Sequence, residues 1–143
     1  MTASVTDRAV ERLRRQDAAA PADGAELTIA EMAERIGLSA HTLRYYERIE
    51  LIEVPRDAAG HRVYGPAEYA RVVFLNRLRM TGMPIRDLQR YVRLVQLGEH
   101  TAPERLAMLQ AHRDSVLAQL AELRFAPEVV EFKIESYGGH CVP

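Results

Sequence analysis

Residues 27–49 read LTIAEMAERIGLSAHTLRYYERI, and their spacing decides the fold. Thr28 stands where it can cap a helix, with Glu31 three residues later, as a capping box requires. Ile29, Met32, Ala33 and Ile36 then form one apolar stripe at helical spacing. Gly37 ends that helix, Leu38 plugs the turn, and Ser39 caps a second helix with Thr42 at its third position. The second helix, predicted from Ala40 to about Ile49, carries Leu43 and Tyr46 on one side. His41, Arg44, Tyr45 and Arg48 lie on the other. Two short helices joined by a glycine-containing turn make the helix-turn-helix pattern, a spacing shared by ordinary helical hairpins. The exposed Arg-Tyr pair favours a helix that reads the major groove.

Outward from this pair, Leu51–Pro55 and His61–Tyr64 are short apolar-alternating runs around a polar loop with Gly60. They predict a β-hairpin, and a hairpin directly after a recognition helix is a wing. Arg56, His61 and Arg62 on its loop suit minor-groove or phosphate contact. Pro66 opens a helix that runs to about Met80, and Thr81-Gly82 stops it. Pro84 starts another, which Leu97-Gly98 ends. These two are expected to pack behind the first pair.

From Pro103 the pattern changes. Leu106, Leu109, Arg113, Val116, Leu120 and Leu123 are spaced alternately by three and four, a heptad seam with one arginine at a core position. A solitary helix of this kind has no partner for its seam within its own chain, so the expectation is a two-helix dimer contact; a helix packed on its own domain is the alternative. Pro127 is expected to break the helix around Phe125-Ala126, leaving a short apolar tail.

The fold expected is therefore mainly α. Residues 1–26 read as a disordered tail, 27–98 as a winged helix-turn-helix domain, 99–124 as a coiled-coil dimerisation helix, and 125–143 as a short C-terminal tail and effector region.

Composition narrows the function. The 143 residues carry a net charge of −1, which hides an asymmetry. Residues 27–96 hold 11 arginines against 8 carboxylates, whereas residues 97–143 hold 4 basic against 7 acidic groups. Eighteen of the 19 basic residues are arginine, the side chain suited to forked phosphate contacts. No apolar run reaches membrane-span length, and the N-terminus lacks a signal-peptide pattern, so the cytoplasm is expected. One cysteine and five scattered histidines (41, 61, 100, 112 and 140) make neither a disulfide framework nor a multi-thiolate metal site. No cofactor is expected. His140-Cys141 is the one pair that suggests an enzyme, and adjacent residues near a terminus rarely hold catalytic geometry, so none is expected.

The run from Leu27 to about Leu123 resembles the MerR family of bacterial transcription regulators. The resemblance rests on Leu27–Ala33, Gly37-Leu38-Ser39, Thr42-Leu43-Arg44-Tyr45-Tyr46-Glu47-Arg48, the Gly60-x-Arg62-x-Tyr64 wing and the helix pair that follows. It departs at His61, where the family usually has tyrosine. The tail around Val130–Ile134 resembles small members without a large effector domain. The resemblance implies a homodimer on a palindromic promoter, held by an antiparallel coiled coil. It also implies DNA bending and untwisting that lets RNA polymerase engage both promoter elements. It carries DNA contact onto Arg44, Tyr45, Tyr46 and Arg62, with core packing the alternative role of Tyr46.

Thr28, Ser39, His41, Thr42, Arg48, Arg56 and His61 complete the candidate DNA-binding set. A small hydrophobic ligand is the expected signal. Its candidate contacts are Phe125, Val129, Phe132, Ile134 and Tyr137 from the tail, with Tyr69, Phe74 and Tyr91 opposite. Two other functions fit the residues: a small-molecule binding or sequestering protein on the same scaffold, and an electrophile or redox sensor using Cys141.

Overall fold

A computed structural model describes residues 11, 14–15, 20–22 and 24–138. Most of the N-terminal tail, together with His140 and Cys141, lies outside the described residues. The order from residue 27 is α1 (Ile29–Ile36), α2 (Ala40–Arg48), α3 (Pro66–Met80), α4 (Ile85–Leu97), a 3-10 turn (Glu99–Thr101) and α5 (Ala102–Ser136). The chain divides into two compact units, residues 1–92 and 93–143.

In the first unit the caps act as their spacing predicts. The Thr28 hydroxyl accepts from the Glu31 amide at 3.2 Å while the Glu31 carboxylate accepts from the Thr28 amide at 2.9 Å. Gly37 closes α1 at φ 68°, and the Leu38 amide reaches back to the Ala33 carbonyl. That left-handed turn favours a residue without Cβ. Ser39 then accepts from the Thr42 amide at 3.0 Å and sets the start of α2.

Met32, Ala33 and Ile36 of α1 are buried, as are Leu43 and Tyr46 of α2, and the two helices pack on one another. Leu43 is fully buried, so Leu43→Ala should destabilise the domain by about 2–5 kcal/mol. A chemical-denaturation curve checks this: a loss below about 1 kcal/mol would mean that Leu43 is no core residue. Behind the pair, α3 buries Tyr69, Val72, Val73 and Leu75, and α4 buries Leu88 and Val92. Two polar bonds join these helices to α2. An Arg79 Nη donates to the Tyr46 hydroxyl at 2.7 Å, and the Gln89 amide donates to the Ile49 carbonyl at 3.0 Å, meeting an acceptor that the helix end leaves open.

The expected β-hairpin is reduced. Residues 51–64 form no paired strands, only two isolated antiparallel bridges, Arg56 with Arg62 and Leu27 with Tyr64. Leu51, Ile52, Val54 and Tyr64 are drawn into the core, so the two runs part instead of continuing a ladder. Tyr64 pairs instead with the residue that leads into α1, through bonds of 2.8 and 2.9 Å. At the tip, Gly60 at φ 83° completes a tight turn, and the Asp57 carboxylate accepts from the Ala59 and His61 amides at 2.9 Å each.

The His61 amide, followed by that of Ala59, holds the Asp57 carboxyl below its ordinary range. The stabilisation is therefore present above the ordinary carboxylate pKa and is lost as pH falls through the lowered value. The wing tip should accordingly loosen in acid, below about pH 4. Amide exchange at Ala59 and His61 reads this, and protection unchanged into strong acid would refute it.

In the second unit, the Thr101 hydroxyl lies 2.6 Å from the Leu94 carbonyl and 2.7 Å from that of Gly98. Arg105 donates back to Thr101 at 3.2 Å and pairs with Glu99 at 3.3 Å. These contacts fix the turn into α5. The expected break at Pro127 is corrected: α5 runs through it for 35 residues, a length of about 52 Å at 1.5 Å per residue. Proline removes the bond to the Leu123 carbonyl, but Leu123 is 66% exposed, so water can take that acceptor. The tail residues 125–136 are thus the last turns of this helix, and none of its residues is buried.

Candidate nucleic-acid interface

The face of α2 opposite Leu43 and Tyr46 is open. His41, Arg44, Tyr45 and Arg48 are exposed, and Thr42 is half-buried at its edge. The Arg48 guanidinium lies 5.7 Å from the centre of the Tyr45 ring, a cation–π contact that holds both side chains on one surface. Tyr46 differs from its neighbour. It is 1% exposed, with the Arg79 guanidinium 5.6 Å over its ring. Of the tyrosine pair, Tyr45 faces solvent and Tyr46 takes the core role.

Thr28 and Ser39 serve as caps and stand exposed at the starts of α1 and α2. On the wing, His61 is exposed and its Nδ1 lies 3.5 Å from Asp57. Arg56 donates to the Gly60 carbonyl at 2.9 Å and pairs with Glu47 at 3.4 Å. Arg62 pairs through Nε with the other oxygen of the same Glu47 carboxylate. Glu47 stands in the stretch that carries the family resemblance, but the sequence assigned it no role. The two pairs join positions 9 and 15 residues apart, and no local spacing rule signals such a contact.

The α5 residues belong to the second unit. Leu106, Leu120 and Leu123 are exposed, Leu109 and Val116 are half-buried, and Arg113 pairs with Asp114 at 3.0 Å. Because the helix continues, so does the spacing: Pro127, Val130, Ile134 and Tyr137 extend the seam in alternating steps of four and three. The signal was present in the sequence, and Pro127 masked it. Phe125, Val129 and Phe132 form a second apolar stripe, about 160° round the helix from Leu123. Ile134 and Tyr137 belong to the seam instead. Of the residues expected to face these, Tyr69 is buried in the first unit, and Phe74 and Tyr91 pair with ring centres 5.7 Å apart.

No group of three or more metal-ligating side chains occurs among the described residues. Among them, no helix is long and apolar enough to cross a membrane.

A two-helix core, an open arginine- and tyrosine-bearing second helix and a short wing define a winged helix-turn-helix DNA-binding protein. Residues 27–94 match the family described as MerR HTH family regulatory protein. An HTH-type transcriptional regulator of Haemophilus influenzae is 34% identical over 77% of this chain and 82% of its own length. Two crystal structures are similar in fold. HiNmlR, a MerR family regulator lacking the sensor domain and bound to promoter DNA, is 33% identical with a TM-score of 0.71, over 80% of this chain and 92% of that one. A MerR family transcriptional regulator from Listeria monocytogenes is 35% identical with a TM-score of 0.70, over 80% and 87%. The chain belongs to the MerR family of transcriptional regulators.

Proposed function

We propose that this chain binds a palindromic promoter as a homodimer and distorts the DNA in response to a signal, so that RNA polymerase is affected indirectly. The observation that carries the proposal is the open face of α2. His41, Arg44, Tyr45 and Arg48 stand exposed on a helix whose other side is locked into the core by Leu43 and Tyr46. Such a helix presents donors to base edges without disturbing the fold. The wing arginines beside it take phosphates, which set the register on the duplex. DNA bound in the structure of HiNmlR supports the same use of this domain.

The seam of α5 pairs with that of a second copy in an antiparallel coiled coil. An apolar face of this length, none of whose residues is buried among the described residues, supports the assignment. Bending a site of this size costs of order 1–6 kcal/mol, which arginine contacts from two subunits can offset. The signal is a small hydrophobic compound recognised at the Phe125–Val129–Phe132 stripe, and the protein works in the cytoplasm. The experiment is a mobility-shift titration with duplexes selected from a random-sequence library, with mass by light scattering. Two chains on an inverted repeat are expected; no enrichment of any duplex over the starting library would overturn the proposal.

A further inference from the structure

Glu47 is the one carboxylate of α2 that turns towards the wing, and its two oxygens are divided between two arginines. Oε1 takes Arg56 at 3.4 Å, and Oε2 takes Arg62 through Nε. All three side chains are partly covered, with 23% of Glu47 and 24% of Arg62 exposed. Arg56 is held a second time, by the Gly60 carbonyl at the wing tip. The wing has no strand ladder of its own to stiffen it, since a single isolated bridge, Arg56 with Arg62, joins its runs. Beneath the cluster lies Tyr64, fully buried. Its hydroxyl is held above its ordinary pKa by burial and then by the charge of Glu47, while Arg62, Arg44 and Arg56 oppose this. The recognition helix and the wing therefore meet in one electrostatic cluster.

A carboxylate beside a phosphate-binding surface is unfavourable by itself, because it repels the backbone it faces. Its placement makes sense if it does something that outweighs the repulsion. The bond to Glu47 uses Nε of Arg62, and a guanidinium held in this way still has Nη donors that can take a phosphate. We propose that Glu47 is a positioning residue for DNA binding: it orients Arg62 and Arg56 towards phosphate and ties the wing to the recognition helix at a fixed angle. This rests on the DNA-binding function proposed above, and it adds a residue that itself makes no contact with DNA.

The sign of one substitution separates positioning from mere proximity. Glu47→Gln keeps the shape and removes the negative charge. A bystander carboxylate predicts tighter DNA binding, because a repulsion has gone. A positioning residue predicts weaker binding, because the arginines lose their aim. We expect affinity for a duplex selected by the native protein to fall about tenfold, and the slope of log K against log salt to become shallower by about one. In a chain that also carries Arg56→Ala and Arg62→Ala, Glu47→Gln should no longer weaken binding, since nothing is left to position. Circular dichroism melts establish that each variant is folded at the temperature of the titration. If Glu47→Gln does not fold, Glu47→Asp replaces it, keeping the charge but withdrawing it by one methylene, with the same loss of affinity expected. Native protein that binds no duplex would overturn the DNA-binding proposal itself. Native protein that binds, with a folded Glu47 variant binding as tightly or more tightly, would overturn the positioning role alone. A loss of equal size in the arginine-free background would also overturn it.

Discussion

Leu109→Asp together with Leu120→Asp should turn the protein into a monomer that no longer holds its operator. Both leucines lie on the seam of α5, Leu109 half-buried and Leu120 46% exposed within the single chain. In a coiled coil of two copies each would be covered by the partner, and an aspartate there must either lose its water without a counter-charge or force the helices apart. An unpaired buried charge costs several kcal/mol, and a two-fold dimer would contain four of them. The core of the first unit is drawn from its own residues, between Leu27 and Val92. Its thermal transition should survive the change. Operator affinity should fall by at least about a hundredfold, since a monomer loses half of its phosphate contacts and the advantage of two linked half-sites. Light scattering at the mass of a dimer, for the doubly substituted protein, would place the interface elsewhere.

Arg44→Ala should weaken operator binding more than any other single change on the open face of α2. The side chain is exposed in the chain alone, and it sits between His41 and Arg48 on the helix face that is free to enter a groove. A forked arginine contact to a base edge is worth about 1–3 kcal/mol, and a homodimer makes it twice, so a loss of roughly 30-fold to about 20,000-fold is expected. Specificity should relax at one base pair of each half-site, with stability unchanged. Equal affinity for the native and substituted proteins would remove α2 from the role of reader.

Much of this was legible because the relevant rules are local. Thr28 with Glu31, Gly37, and Ser39 with Thr42 fix α1 and α2 within four residues of each position, and the structure has each cap in place. Spacing put Tyr46 on the Leu43 side of α2 while the resemblance offered it DNA contact; the structure buries it, and its hydroxyl accepts from Arg79, 33 residues away, a contact no local rule signals. The wing was half legible. Alternation in 51–55 and 61–64 marked inward-facing residues, but whether such runs pair with each other or with Leu27 is decided by the core. The pairing of Glu47 with Arg56 and Arg62 was not legible for the same reason. Pro127 misled in the opposite direction: a proline costs a helix one bond and a clash, yet this helix is exposed and its seam repeats unbroken on both sides.

Hydroxyl-radical footprinting of the native protein on its selected duplex tests the central claim most directly. If α2 and the wing of two copies hold the DNA, backbone protection should appear as two equivalent patches on one face of the duplex. Their centres should be related by the dyad of the inverted repeat and separated by whole helical turns of about 34 Å each. A single protected patch, or protection without two-fold symmetry, would contradict the account.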